Sequence, residues 1–315
     1  MTWKLSIGTA AALGLRHLKT DCLPTTAYIM LGEKCLRNCS FCAQARNSSA
    51  DAKFLSRIAW HPAEEAIVVP AIVTAYQKGI IKRVCLQVVD APNSFALVLE
   101  ALKRFYNYPQ IPVVVSCYIK SVADAKVLFA EGASRLELAM DVADPVLFQK
   151  IKGGSFDERW QLLCQVAEAF PGKITTHIIV GLGESEVELW HLLCACAARK
   201  ITVALFAFTP LKGTPLADTP QPDKGSYRRL QIGLELLRRG FDPQVVKCDD
   251  KRIVSIDVPD LKKVLAEGHP FNTCGCPGCN RPYYNDHPSS KSLYNFHRPL
   301  QEAEWETAFA ESGLI

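Results

Sequence analysis

The chain has 315 residues, 49% of them hydrophobic and 22% charged, with a net charge of +4. That composition suits one large or two small globular domains and excludes a disordered chain. No basic run offers a nucleic-acid footprint, and no stretch reaches the roughly 18 uninterrupted apolar residues of a membrane-spanning helix, so neither nucleic acid nor membrane is an expected partner.

Residues 1–23 read as an N-terminal helical segment, because the apolar patch after Lys4 is short and broken by Gly8, Gly14 and Arg16, unlike a secretory signal. From Thr25 onward, β-rich runs alternate with helical ones. TTAYIML is the first strand and AEEAIVVPAIVTAYQKG a helix stopped at Gly79; IKRVCLQVV, IPVVVSCYI, SRLELAM, KITTHIIVGLG and ITVALFAFTPL are the following strands. Between them lie SFALVLEALKRFY, VADAKVLFAEG, DPVLFQKI with FDERWQLLCQVAEAF, and SEVELWHLLCACAARK, and SYRRLQIGLELLRRG follows the last strand. Strand-helix alternation of this kind predicts an α/β fold, a partial (β/α)6 TIM-type barrel over residues 24–240, with functional groups at the strand C-terminal ends. Residues 241–315 lose the rhythm and form a C-terminal Cys-rich extension, expected to fold over the barrel mouth.

Thirteen cysteines, an odd number lying mostly in apolar runs such as LLCACAA, argue for a reducing, cytoplasmic setting rather than a disulfide scaffold. Two groups stand apart. In GEKCLRNCSFCAQAR, Cys35, Cys39 and Cys42 fall in a polar loop immediately after the first strand. Three thiolates can hold three irons of a 4Fe-4S cube and leave the fourth open, whereas zinc would need a fourth ligand and the nearest histidine is His61. In the tail, Cys274, Cys276 and Cys279 form CGCPGC, whose Gly and Pro let the backbone turn around a metal. That pattern fits an auxiliary iron-sulfur cluster, or zinc; Cys248, Ser289, Ser290, His269 or His287 are candidates to complete it.

The C-x3-C-x2-C spacing with Phe41 before the last cysteine resembles the radical S-adenosylmethionine (SAM) superfamily, and IVGLGE and PLKGTPLAD resemble its biotin synthase, hydrogenase-maturation and methylornithine synthase branch. The resemblance implies a 4Fe-4S cluster at Cys35, Cys39 and Cys42 that chelates SAM and yields a 5'-deoxyadenosyl radical. It also implies that Phe41 lies against adenine and that Asp141 lies beside SAM or substrate, the alternative for Asp141 being a helix cap shared with Asp144. Gly181, Gly183 and Glu184 enter as further cofactor-side residues; the glycines would allow a close turn, and Glu184 would otherwise favour a helix N-terminus. Biotin synthases hold a second cluster with strand cysteines and an arginine. Cys85 and Cys117 fall near two of those positions, but Thr175 occupies the third, so both thiols read as core or pocket residues.

Ordinary lipoyl synthases carry their auxiliary cysteines before the radical SAM motif, where this chain has only Cys22. The tail, CGCPGCNRPYYND followed by LYNFHRPL, instead resembles the two-protein lipoyl synthases. This implies an auxiliary 4Fe-4S cluster as sulfur donor, an octanoylated lipoyl-carrier protein as substrate, a second radical SAM subunit and an electron donor. The rival expectations are a biotin synthase-like enzyme, a mutase or lyase like methylornithine synthase, and a noncatalytic iron-sulfur or zinc carrier.

Overall fold

A computed structural model describes residues 2–266 and 268–314. Strands β1 (Thr2–Ser6), β2 (Thr26–Leu31), β3 (Phe54–Leu55), β4 (Ile58–Glu64), β5 (Arg83–Val88), β6 (Val113–Ser116), β7 (Ala133–Glu137), β8 (Ile174–Val180) and β9 (Thr202–Ala207) form one sheet in the order β3-β4-β1-β2-β5-β6-β7-β8-β9. From β2 to β9 the neighbours are parallel and in chain order. Helices α2 (Glu65–Gln77), α3 (Ser94–Lys103), α4 (Val122–Ala130), α5 (Pro145–Ile151), α6 (Phe156–Ala169), α7 (Glu186–Ala198) and α8 (Lys224–Arg238) connect and follow them. The architecture is a curled parallel half-barrel of α/β type, as the strand-helix rhythm predicts.

Side chains alternate across each strand. Ala27, Ile29, Leu31, Val84, Leu86, Val113 and Val115 pack outward in the main core with helix residues such as Val98 and Leu102. Tyr28, Met30, Cys85 and Val114 point the other way and form a separate cluster inside the barrel. Burying one Val or Leu contributes about 1.5–3 kcal/mol, so the outer core dominates the fold and leaves the interior free for polar chemistry. The helix starts are fixed locally: Ser121 with Asp124 and Ser185 with Glu188 form capping boxes, Ser155 caps α6, and Asp144 caps α5 ahead of Pro145. Each cap contributes about 1 kcal/mol.

The N-terminal segment does not begin as the expected helix. Residues 2–6 are β1, inserted antiparallel between β2 and β4, and only then does Ser6 cap a short α1 (Ile7–Ala12). Trp3 and Leu5 are both buried, and their alternation with Lys4 is the period of a strand. The partners β2 and β4 lie later in the chain, so this pairing is invisible to a local reading.

The extension also departs from expectation. It holds a hairpin, β10 (Val246–Cys248) with β11 (Ile253–Ile256), then α9 (Leu261–Ala266) and α10 (Glu302–Glu311). The CGCPGC segment does not cover the mouth; it closes the opposite end. Asn280 Oδ1 accepts from the N–H of Thr25 at 2.9 Å, just before β2, and Gly278 approaches Lys82, just before β5. From this floor the chain runs along the free edge of β9 to the rim, where Asn285 Nδ2 donates to the Ala207 carbonyl at 2.7 Å and Ser56 Oγ donates to the Tyr284 carbonyl at 3.1 Å. It thereby satisfies the free edge of β9, which would otherwise present unpaired backbone groups. Fully buried Arg228 on α8 ties the tail down, donating to the Tyr294 carbonyl at 2.9 Å and pairing with Glu311 at 2.9 Å.

Candidate functional site

The C-terminal ends of the parallel strands open into a cavity of about 530 Å³, within the size range of cofactor sites. Cys35, Cys39, Phe41, Cys42 and Asp141 all line it. Backbone bonds shape the loop that carries the cysteines. Cys35 N–H donates to the Gln44 carbonyl at 3.0 Å, Leu36 N–H to the Asp90 carbonyl at 2.7 Å and Ser40 N–H to the Ile151 carbonyl at 2.8 Å. The loop is thus pinned to the ends of β5 and α5. Burial pushes Cys39 up to about 11 and Cys42 up to about 12, with Lys152 opposing the shift at Cys39. Such thiols keep their protons until a metal displaces them.

Asp141 adopts φ 64 after β7 and forms an ion pair with Lys152 at 2.7 Å. Lys152 Nζ also donates to the Ala139 and Met140 carbonyls at 2.9 and 3.0 Å. Asp144, not Asp141, caps α5, its Oδ1 accepting from Leu147 N–H at 2.7 Å. Asp141 is therefore free of the capping role and faces the cavity.

Gly181, Gly183 and Glu184 lie outside the cavity lining. Gly181 has φ 102, and a Cβ there would sit 2.9 Å from Pro222 Cδ, so this turn admits no side chain. Ser185 is the cap of α7, and Glu184 instead accepts from Ala143 N–H at 3.0 Å. Glu184 thereby braces the Asp141 loop from behind.

Several cavity residues carried no sequence signal. Glu137 on β7 pairs with His177 on β8 inside the barrel. Burial pushes the Glu137 carboxyl up, and the His177 charge and hydrogen bond more than offset it, leaving it below the usual range. Arg37 pairs with Asp90 at 2.8 Å and stacks on Tyr118, while Arg159 and Tyr284 complete the wall. They come from separate strands and loops, so no local spacing marks them. Cys117 also lines this cavity, and burial pushes it up to about 12.

Cys276 and Cys279 lie at the other end of the barrel, packed with Tyr28, Cys85 and Val114. Cys279 Sγ is 2.9 Å from the Tyr28 hydroxyl, and Cys276 Sγ is 3.8 Å from Thr175 Oγ1. Cys274 Sγ accepts from Leu205 N–H on β9 at 3.2 Å. Cys248 is exposed on β10, with Cys194 as its neighbouring thiol. Ser289 is exposed and hydrogen-bonded to His287 Nδ1 at 2.6 Å, and Ser290 donates its N–H to the His287 carbonyl at 2.9 Å. Of the expected completing residues, Cys248, His269, His287, Ser289 and Ser290 are all exposed.

Among the described residues, no three His, Cys, Asp or Glu side chains converge tightly enough to hold a single metal ion. A cluster places its thiolates on different irons and so needs a more open triangle. Cys35, Cys39 and Cys42 fit that need: they share one loop, are near enough that Cys42 feels the other two electrostatically, and border a cavity with room beside them. All thirteen cysteines are free thiols. Among the described residues no helix is long and apolar enough to cross a membrane.

No family model matches the chain. A biotin synthase of Synechococcus sp. (strain JA-3-3Ab) is 26% identical over 197 residues, 60% of this chain and 61% of that protein. Among solved structures, the [FeFe]-hydrogenase maturase HydG superposes with a TM-score of 0.55 at 13% identity, covering 67% of this chain and 49% of HydG. Methylornithine synthase PylB superposes with a TM-score of 0.50 at 20% identity, covering 65% of this chain and 61% of PylB. The chain thus spans less than two thirds of the length of each of these relatives, and the two structures bear on fold alone. The half-barrel, with its cysteine loop at the C-terminal ends of the parallel strands, is the fold the chain shares with these solved structures. In sequence, the chain is similar to biotin synthase.

Proposed function

We propose that this chain is a radical SAM enzyme that inserts sulfur as a component of a lipoyl synthase, acting on an octanoylated carrier protein. The observation that carries this reading is the placement of two thiol groups in one barrel: Cys35, Cys39 and Cys42 at the open end, and the tail thiols at the floor. When bound, a 4Fe-4S cluster with SAM supplies a reductively generated 5'-deoxyadenosyl radical able to take hydrogen from an unactivated carbon.

The chain's own residues do the rest. Phe41 offers a flat apolar surface for adenine. Asp141, held by Lys152, is placed to accept from a hydroxyl or ammonium group, and Arg37 and Arg159 give the wall positive charge for a carboxylate. The tail seals the seam and keeps water from the interior, as a reactive intermediate requires. The Glu137–His177 pair stands at mid-barrel, where it can orient the substrate chain between the two thiol groups. A net charge of +4 suits an acidic carrier protein, and a second radical SAM subunit and an electron donor complete the proposed system.

The test is anaerobic turnover with an octanoylated carrier after reconstitution with labelled sulfide. Label in the carrier's acyl chain supports the reading. 5'-deoxyadenosine without labelled product would instead favour a mutase or lyase, the reading to which the PylB-like barrel gives its weight. No 5'-deoxyadenosine from the reduced protein and SAM would leave only a carrier role.

A further inference from the structure

We propose that the auxiliary iron-sulfur site is built by Cys85 together with Cys276 and Cys279 inside the barrel floor, with Arg281 as its counter-cation, and that Cys274 belongs to the barrel wall. This rests on the reading above that the tail binds a cluster, and it changes which residues do so.

The tail motif does not act as one unit. Cys274 packs in the outer core, and its sulfur already accepts a backbone N–H from the free edge of β9. Gly275 adopts φ 121 and passes so close to β9 that a Cβ there would lie 2.9 Å from the Ala204 Cβ. The chain therefore reverses direction between the first cysteine and the second. Cys276 and Cys279 consequently join the interior cluster that contains Cys85, with both of them among the electrostatic neighbours of the Cys85 thiol. The three sulfurs come from β5 and from two turns of the tail, with the Tyr28 hydroxyl 2.9 Å from Cys279 Sγ and Thr175 Oγ1 3.8 Å from Cys276 Sγ.

Arg281 supplies an independent observation. It is partly buried, stacked over the Phe206 ring at 3.9 Å, and donates to the Cys274 carbonyl at 2.6 Å. Among the described residues no carboxylate forms an ion pair with it; Glu137, the acid nearest in the interior, is engaged by His177. Burying a guanidinium without an anion is costly. A thiolate-ligated cluster carries net negative charge and would give this guanidinium a close anionic neighbour. A single zinc ion suits less well, since among the described residues no three such side chains are placed to hold one metal ion.

The site then lies beneath the cavity, with Gln87 and Tyr284 between it and the SAM end; both residues also border a smaller opening of about 240 Å³ beside Tyr28 and Arg281. A substrate chain reaching the interior would meet the radical from one side and the cluster from the other.

The experiment is iron and acid-labile sulfide counting with Mössbauer and EPR spectra on anaerobically reconstituted full-length variants. Wild type is expected to hold about eight irons. Cys85→Ala, Cys276→Ala and Cys279→Ala should each lose half, with the spectrum of the SAM-responsive cluster intact, while Cys274→Ala keeps the full count. Should Cys85→Ala fail to fold, Cys85→Ser decides, because an oxygen ligand retains iron with an altered EPR spectrum. Arg281→Gln should lower the midpoint potential of the interior cluster alone, and Arg281→Lys should restore it. Loss of half the iron in Cys274→Ala, or an unchanged count and spectrum in the Cys85 variants, overturns the assignment while leaving an auxiliary cluster in place. Four irons in wild type, or zinc in the tail, overturns the auxiliary cluster itself.

Discussion

Glu184 shows how a residue outside the cavity governs the site's stability. Burial pushes its carboxyl up to about 7, the hydrogen bond from Ala143 only partly opposing the shift. The folded chain therefore binds this proton more tightly than the unfolded chain does. Its contribution is fully present below the unfolded value, near 4.3, and is lost as pH rises toward about 7, a change on the order of 3 kcal/mol. Chemical denaturation of the apoprotein at pH 5 and pH 8 should show that slope, and Glu184→Gln should flatten it. An unchanged slope would assign the pH dependence elsewhere. Lys152 is the complementary case. Its removal leaves Asp141 partly buried and unpaired, so Lys152→Met should destabilise the chain by about 3 kcal/mol and weaken SAM binding measured by calorimetry. Stability lost with SAM affinity unchanged would give the pair a purely structural role.

At the scale of elements, α7 and α8 pack through a contact that only glycine permits. A Cβ on Gly233 would lie 2.6 Å from the Trp190 ring, so the helices approach at the cost of helix propensity in α8. Gly233→Ala should cost a net 1–2 kcal/mol, approximately, because overpacking outweighs the propensity gained, and a urea midpoint at pH 7 measures it. The elements also show what was legible. Strands β2 and β5 to β9 and the helices between them follow from short apolar runs, capping serines and breaker glycines, all local signals. β1 was not legible as a strand, since five residues acquire that conformation only by pairing with β2 and β4. The Cys35 loop was legible because its three cysteines are adjacent in the chain. The Glu137–His177 pair was not, since neighbouring strands bring it together.

For the whole molecule, the extension is the missing wall of a barrel that six parallel strands leave open. A chain ending at Gly240 would expose the β9 edge, the interior cluster and the face of α8 that holds Arg228. It should associate into large species by sedimentation, where the full chain does not, because an unpaired edge beside open apolar surface is an aggregation template. A monodisperse truncated chain would show that the half-barrel is self-sufficient. The same closure explains how one segment can serve both stability and chemistry: its backbone completes the edge while its side chains furnish the floor.

By itself the sequence determined the C-x3-C-x2-C loop, the order of the six parallel strands and their helices and the existence of a second thiol-rich segment, because each depends on residues within one turn or loop of each other. Only the tertiary structure decided that this segment lies under the barrel rather than over it, and that Cys276 and Cys279 face Cys85 while Cys274 faces β9. Tyr28 and Cys279 touch although 251 positions separate them in the chain. Such contacts arise from how the sheet curls and which edge it leaves unpaired, a property of the assembled strands that no local pattern encodes.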